Sequence, residues 1–157
     1  MVFLSRSLAA AVIFSAGVFS FSSIAQDAAG QPPATGYHNS GQVVAAVSGA
    51  IRDGERLTVK VRFKPATEGK NVSTVLYSTL SDENYQNDYY LVAGDKKYLL
   101  LKDSEGKPLT PSSVTLGGKG PVVGVWHGVF PAPPADQKVT LFMKGVEPLG
   151  PFAVPAE

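Results

Sequence analysis

An all-β fold is what this sequence predicts: an antiparallel β-sandwich of about seven short strands. Three observations carry that reading. Leu57, Val59, Val61 and Phe63 alternate with Thr58, Lys60, Arg62 and Lys64; a helix would scatter these apolar residues around its circumference, whereas a strand gathers them on one face. The 16 glycines and 12 prolines divide the chain into short segments bounded by turn residues, which suits a sheet built from hairpins. No long window of the folded region shows clean helical periodicity.

Taken in order, residues 1–25 read as a secretory signal peptide. Arg6 and the N-terminus supply positive charge, Leu8-Ala-Ala-Ala-Val-Ile-Phe supplies an uncharged apolar run, and Ser23-Ile24-Ala25 places small residues where the peptidase must accommodate them. Cleavage is expected before Gln26. A retained anchor is the alternative, but Leu8 to Ile24 sits at the short end of what crosses a bilayer and serines interrupt its second half. Residues 26–41, rich in Gly, Ala, Pro and small polar side chains, bury too little apolar surface to offset their ordering entropy and read as a flexible linker. The β-sandwich domain is expected over residues 42–157.

Within it, Val43 to Ile51 is the first expected strand, followed by a polar turn at Arg52-Asp-Gly-Glu-Arg56. The alternating strand of Leu57 to Phe63 ends at Pro65, which has no amide hydrogen to give a ladder. Val72 to Leu80 is rich in Val, Thr, Tyr and Leu, residues that suit a pleated surface. Tyr89-Tyr-Leu-Val92 and Tyr98-Leu-Leu-Leu-Lys102 flank Ala93-Gly-Asp-Lys-Lys97, a hairpin turn signal. After a turn cluster at Asp103 to Pro108 come Val122 to Phe130, a stop at Pro131-Ala-Pro-Pro134, and a last strand from Lys138 to Met143. The segment beyond reads as a Gly/Pro-punctuated tail.

Composition narrows function by exclusion. The 14 Lys+Arg and 13 Asp+Glu side chains nearly cancel, and loss of Arg6 with the leader would balance them, so no long-range field steers this chain toward nucleic acid. The absence of cysteine removes disulfide scaffolds, thiolate zinc sites and a cysteine nucleophile. Two histidines and two methionines leave little for a transition-metal centre. No cofactor is expected.

Several phrases occur in a recognisable order: Tyr89-Tyr-Leu-Val92, Lys97-Tyr-Leu-Leu-Leu-Lys-Asp-Ser-Glu-Gly-Lys-Pro-Leu109, Trp126, Phe130-Pro-Ala-Pro-Pro-Ala-Asp136 and Val139-Thr-Leu141. Together, over residues 42–157, they resemble the small exported immunoglobulin-like modules of bacterial envelope and secreted proteins grouped as DUF4352-like. The resemblance implies an immunoglobulin-like sandwich and carries no catalytic residue, because that group has no agreed activity.

Candidate chemistry is sparse. Ser81-Asp-Glu-Asn-Tyr-Gln-Asn-Asp88 gathers oxygen ligands that could hold Ca²⁺, but it has neither the glycine nor the bidentate glutamate of an EF-hand loop; a solvated loop is the favoured reading and no metal site is assigned. His127 beside Trp126 and His38 in the linker are the only imidazoles for a Ser-His-Asp arrangement, and no Gly-x-Ser-x-Gly elbow accompanies them. Leu116-Gly-Gly-Lys-Gly120 lacks phosphate-loop spacing and a following helix, so it reads as a turn before a strand. No catalytic residue is assigned. Tyr85, Tyr90 and Trp126 are the candidate ligand- or partner-binding residues, since exposed aromatics make flat faces with polar handles; Tyr89 and Tyr98 belong to the same group, and packing is the favoured reading for these aromatics.

The expectation is therefore a non-catalytic, exported module, periplasmic or extracellular, acting in protein interaction or structural support. Its partner would be another envelope protein or a glycan, with no nucleic acid and no stable membrane insertion once the leader is removed. The alternatives are small-ligand or carbohydrate binding through exposed aromatics and, with least support, hydrolysis using His127.

Overall fold

The computed structural model describes residues 34–80 and 85–156. The expected signal peptide, residues 26–33 of the expected linker and residues 81–84 of the acidic segment lie outside them. Among the described residues no helix is long and apolar enough to cross a membrane.

Ten strands and one helical turn follow in order: β1 (Thr35–Tyr37), β2 (Val43–Asp53), β3 (Arg56–Pro65), β4 (Val72–Tyr77), α1 (Tyr85–Asp88), β5 (Tyr89–Ala93), β6 (Lys96–Leu99), β7 (Val114–Gly118), β8 (Gly124–Pro131), β9 (Lys138–Met143) and β10 (Val146–Ala153). All pairings are antiparallel, and the fold is all-β as expected. One four-stranded sheet has the order β1-β2-β3-β8, a second has β10-β9-β5-β6, and β4 pairs with β7. These orders establish a sandwich-like antiparallel architecture without singling out the immunoglobulin arrangement.

The alternating segment behaves as its periodicity demands. Leu57, Val59, Val61 and Phe63 are fully buried while Lys60, Arg62 and Lys64 are exposed. Burying each such apolar side chain contributes about 1.5–3 kcal/mol. Val43, Ala45 and Val47 of β2 join them, and Leu91, Val139, Leu141, Leu149 and Phe152 from the second sheet complete one continuous core.

Backbone hydrogen bonds also tie the sheets at their flanks. His38 bridges Val146, and the Asn39 amide donates to the Gly145 carbonyl at 2.7 Å, which fastens the β1 end to β10. On the other flank the Leu101 amide donates to Val129 of β8 at 2.8 Å, and the Val129 amide donates to Leu109 at 3.1 Å. The edges of both sheets are thereby partly satisfied within the chain, which limits the open template that an unpaired edge presents to other chains.

Three strands correct the expectation of about seven. β1 falls inside the segment read as flexible linker, so pairing reaches back to Thr35, where its register to β2 runs from Thr35↔Ala46 to Tyr37↔Val44. β7 takes part of the sequence read as turn, and β10 replaces the expected tail. Pro148 and Pro151 cannot donate to a ladder; β10 accommodates them at the end of its sheet with two register shifts against β9.

Candidate functional site

The three aromatic residues expected at a binding face are not brought together on one. Trp126 is only 1% exposed and sits among Tyr89 and Phe130, with ring centroids at 6.2 and 6.4 Å. Tyr85 is equally buried. Only Tyr90 reaches the surface, and there its ring lies parallel to Phe142 at 4.9 Å while the Lys97 ammonium stands 4.2 Å from the ring centre. Phe142 and Lys97 come from β9 and β6, which flank β5 on opposite sides, so both faces of the Tyr90 ring are covered. Alternation explains the split: Tyr89 points inward and Tyr90 outward. Tyr98 is partly buried against the core.

The buried aromatics form a cluster with unusual polar content. Tyr77 packs edge-on to Tyr89 at 5.2 Å, and its hydroxyl donates to the Pro111 carbonyl at 2.7 Å. Burial pushes the Tyr77 phenol up, with the Thr110 and Trp126 side chains opposing that shift. Burial likewise raises Tyr89, assisted by neighbouring Tyr77 and Asp88. The Tyr85 and Tyr89 hydroxyls and the Trp126 indole nitrogen are sealed from solvent without a hydrogen-bond partner.

His127 lies exposed on β8 and lines an open cleft of about 620 Å³ with Asp103, Thr110 and Ser112. Among the described residues no hydrogen bond joins the His127 ring to these side chains. Thr110 Oγ1 donates to the His127 backbone carbonyl, and Asp103 Oδ1 accepts the Glu105 and Lys107 amides as part of its turn. His38 is buried, not free in a linker, and its Nδ1 accepts the Ser40 amide at 3.2 Å. In the acidic segment, Asp88 Oδ2 holds Lys144 Nζ at 3.1 Å and Asn87 Oδ1 accepts from Lys97 at 3.4 Å. Residues 81–84 lie outside the described part; among the described residues no three His, Asp or Glu side chains gather closely enough to hold a metal ion.

A different surface stands out, on the outer side of the first sheet. The outward residues of β3 are Arg56, Thr58, Lys60, Arg62 and Lys64; the last three are cations at successive outward positions, about 7 Å apart. Register places His127 beside Lys60, Val125 beside Arg62, and Val44 beside Lys64. Val125 is 62% exposed, and Ile51, at 50%, lies across from Thr58 on the same sheet. Among the described residues none of the three cations forms an ion pair.

Like charges about 7 Å apart on a solvated face repel only weakly, and blocking aggregation does not account for them. Charges of that kind guard edge strands, whereas β3 is hydrogen-bonded on both sides, by β2 and β8. At the Lys64 end the face opens into a groove of about 700 Å³, where Arg62 and Lys64 meet Lys119 across an apolar wall of Pro65, Pro121 and Val122; Glu68 is its acidic member. The Val123 amide donates to the Phe63 carbonyl at 2.8 Å, and the Gly117 amide donates to Val123 at 2.9 Å. These bonds draw the end of β7 against β3 and set Lys119 beside the cationic row.

The sequence names Lys60, Arg62 and Lys64 as outward-facing, but their pairing with Val125 and their approach to Lys119 depend on strand register and a loop crossing. Neither leaves a local signal. Comparison with protein-family models, with curated proteins and with solved structures finds no match.

Proposed function

We propose that this chain is an exported, non-catalytic binding module whose contact surface is the outer face of the β1-β2-β3-β8 sheet, and that its partner is an anionic component of the cell envelope. The observation that carries this reading is the row Lys60, Arg62, Lys64 on an interior strand, without an ion pair among the described residues and flanked by exposed Val125. Cations on a face attract an anionic partner and set its orientation, while apolar neighbours add buried area on contact. Resemblance to small exported modules and the leader-like first 25 residues support placement outside the cytoplasm.

A photo-crosslinking amino acid at Val125, introduced in cells that make the protein, tests the reading. Crosslinks to an envelope component are expected, with loss of most of them when Lys60→Glu and Arg62→Glu are combined. Equal crosslinking from Thr140 on the outer side of the second sheet, or yields from Val125 that ignore the charge reversal, would overturn it.

A further inference from the structure

We infer that the groove between Arg62, Lys64 and Lys119 is a seat for a phosphate-monoester dianion carried by the partner. This rests on the face just described being the contact surface and names the chemistry it selects.

The first argument is charge. The groove's ionic lining is Arg62, Lys64 and Lys119 against Glu68, a net of two positive charges. One carboxylate would leave that excess half-compensated, whereas a phosphate monoester carries about −1.5 to −2 near neutral pH. Lys64 and Lys119 have no ion-pair partner among the described residues, and neither does Arg62, so no internal contact must break when an anion arrives.

The second argument is donor geometry. Arg62 offers a planar fork that matches two phosphate oxygens, and the lysines act as mobile point charges. Lys119 directly follows β7, whose last residue, Gly118, has a positive φ of 110°. That conformation is natural for glycine and turns the chain out of the ladder. The amides of Lys119 and Gly120 donate to no backbone carbonyl among the described residues. Of the stretch expected to be a turn, Leu116 to Gly118 belong to β7 and only Lys119 and Gly120 leave the ladder, with no helix following. Pro65, Pro121 and Val122 form a low-polarity wall that strengthens these charge interactions relative to open water.

The phosphate could belong to a soluble or polymer-borne ester or to a lipid headgroup, and the test separates these sources. The full mature chain, isotopically labelled, is titrated with glycerol 1-phosphate, with acetate, and with poly-glutamate, and separately sedimented with phosphatidylcholine vesicles containing phosphatidic acid. Glycerol 1-phosphate is expected to shift the amides of Arg62, Lys64 and residues 118–122. Lys119→Gln and Arg62→Gln are each expected to weaken it about tenfold, as loss of one charge-assisted contact would, with melting curves confirming that both variants fold. Vesicle binding that also depends on Lys119 identifies a lipid source; saturable ester binding without vesicle binding identifies a soluble or polymer source. Equal affinity for acetate, shifts elsewhere on the molecule, or full ester binding by Lys119→Gln would overturn the inference. Poly-glutamate binding that ignores Lys119→Gln but fails on charge reversal at Lys60 and Arg62 would leave the contact face standing while refuting the phosphate seat. Failure of every anion to bind would bring down both.

Discussion

Gly128 shows how a single absent methyl group arranges the interior. A Cβ there would lie 2.4 Å from the Trp126 ring and 2.8 Å from Leu100. Trp126 and Gly128 share one side of β8, two residues apart, so the glycine gives the indole its place in the core. That removes Trp126 from any surface platform. His38 is a second case. It is 6% exposed, and burial holds its imidazole below the usual 6.5. The unfolded chain regains the ordinary value, so below about pH 6.5 it binds a proton that the folded protein refuses. Stability from this residue is therefore complete above about pH 6.5 and is lost as pH falls toward the folded value. Thermal melts across that interval should show a decline that His38→Gln flattens; parallel curves for the two proteins would refute the assignment.

At the scale of elements, β10 is one of the ties between the two sheets. Leu149 is fully buried and stands across from Leu141, while the same strand meets the β1 end through Val146. Leu149→Ala should cost about 2–5 kcal/mol in urea unfolding, against a change within about 0.5 kcal/mol for exposed Val125→Ala. Similar small effects for both would mean that β10 is peripheral. This strand also shows where sequence patterning stops being informative. β3 was legible because its side chains alternate without interruption and one end is marked by Pro65. β10 was not, because Pro148, Gly150 and Pro151 imitate a tail, and only its partner β9 supplies the reason to extend. β1 was hidden similarly: Gly36 reads as linker, yet a Cβ there would stand 2.8 Å from the Glu147 carbonyl, so the residue that suggests flexibility is what permits close packing. The candidate surface follows the same logic. Its cations could be placed on the outer side of one strand, but Lys119 is distant in sequence and reaches them through the Val123–Phe63 hydrogen bond.

For the whole molecule, near-balance of charge coexists with strong local imbalance. The chain carries a formal charge of only +1, yet Lys60, Arg62, Lys64 and Lys119 gather at one end of the β2–β3 hairpin, while the turn at its other end, Arg52 to Arg56, is balanced. Such an arrangement gives weak attraction at long range and directed contact at short range, where salt competes most visibly with exposed charges. The most direct measurement is co-sedimentation of the protein with purified cell envelopes over a series of salt concentrations, run beside the Lys60→Glu, Arg62→Glu double variant. Binding by the unmodified protein should fall steadily as salt rises, and the variant should stay in the supernatant throughout. Retention of both proteins to the same extent, unchanged by salt, would contradict the account.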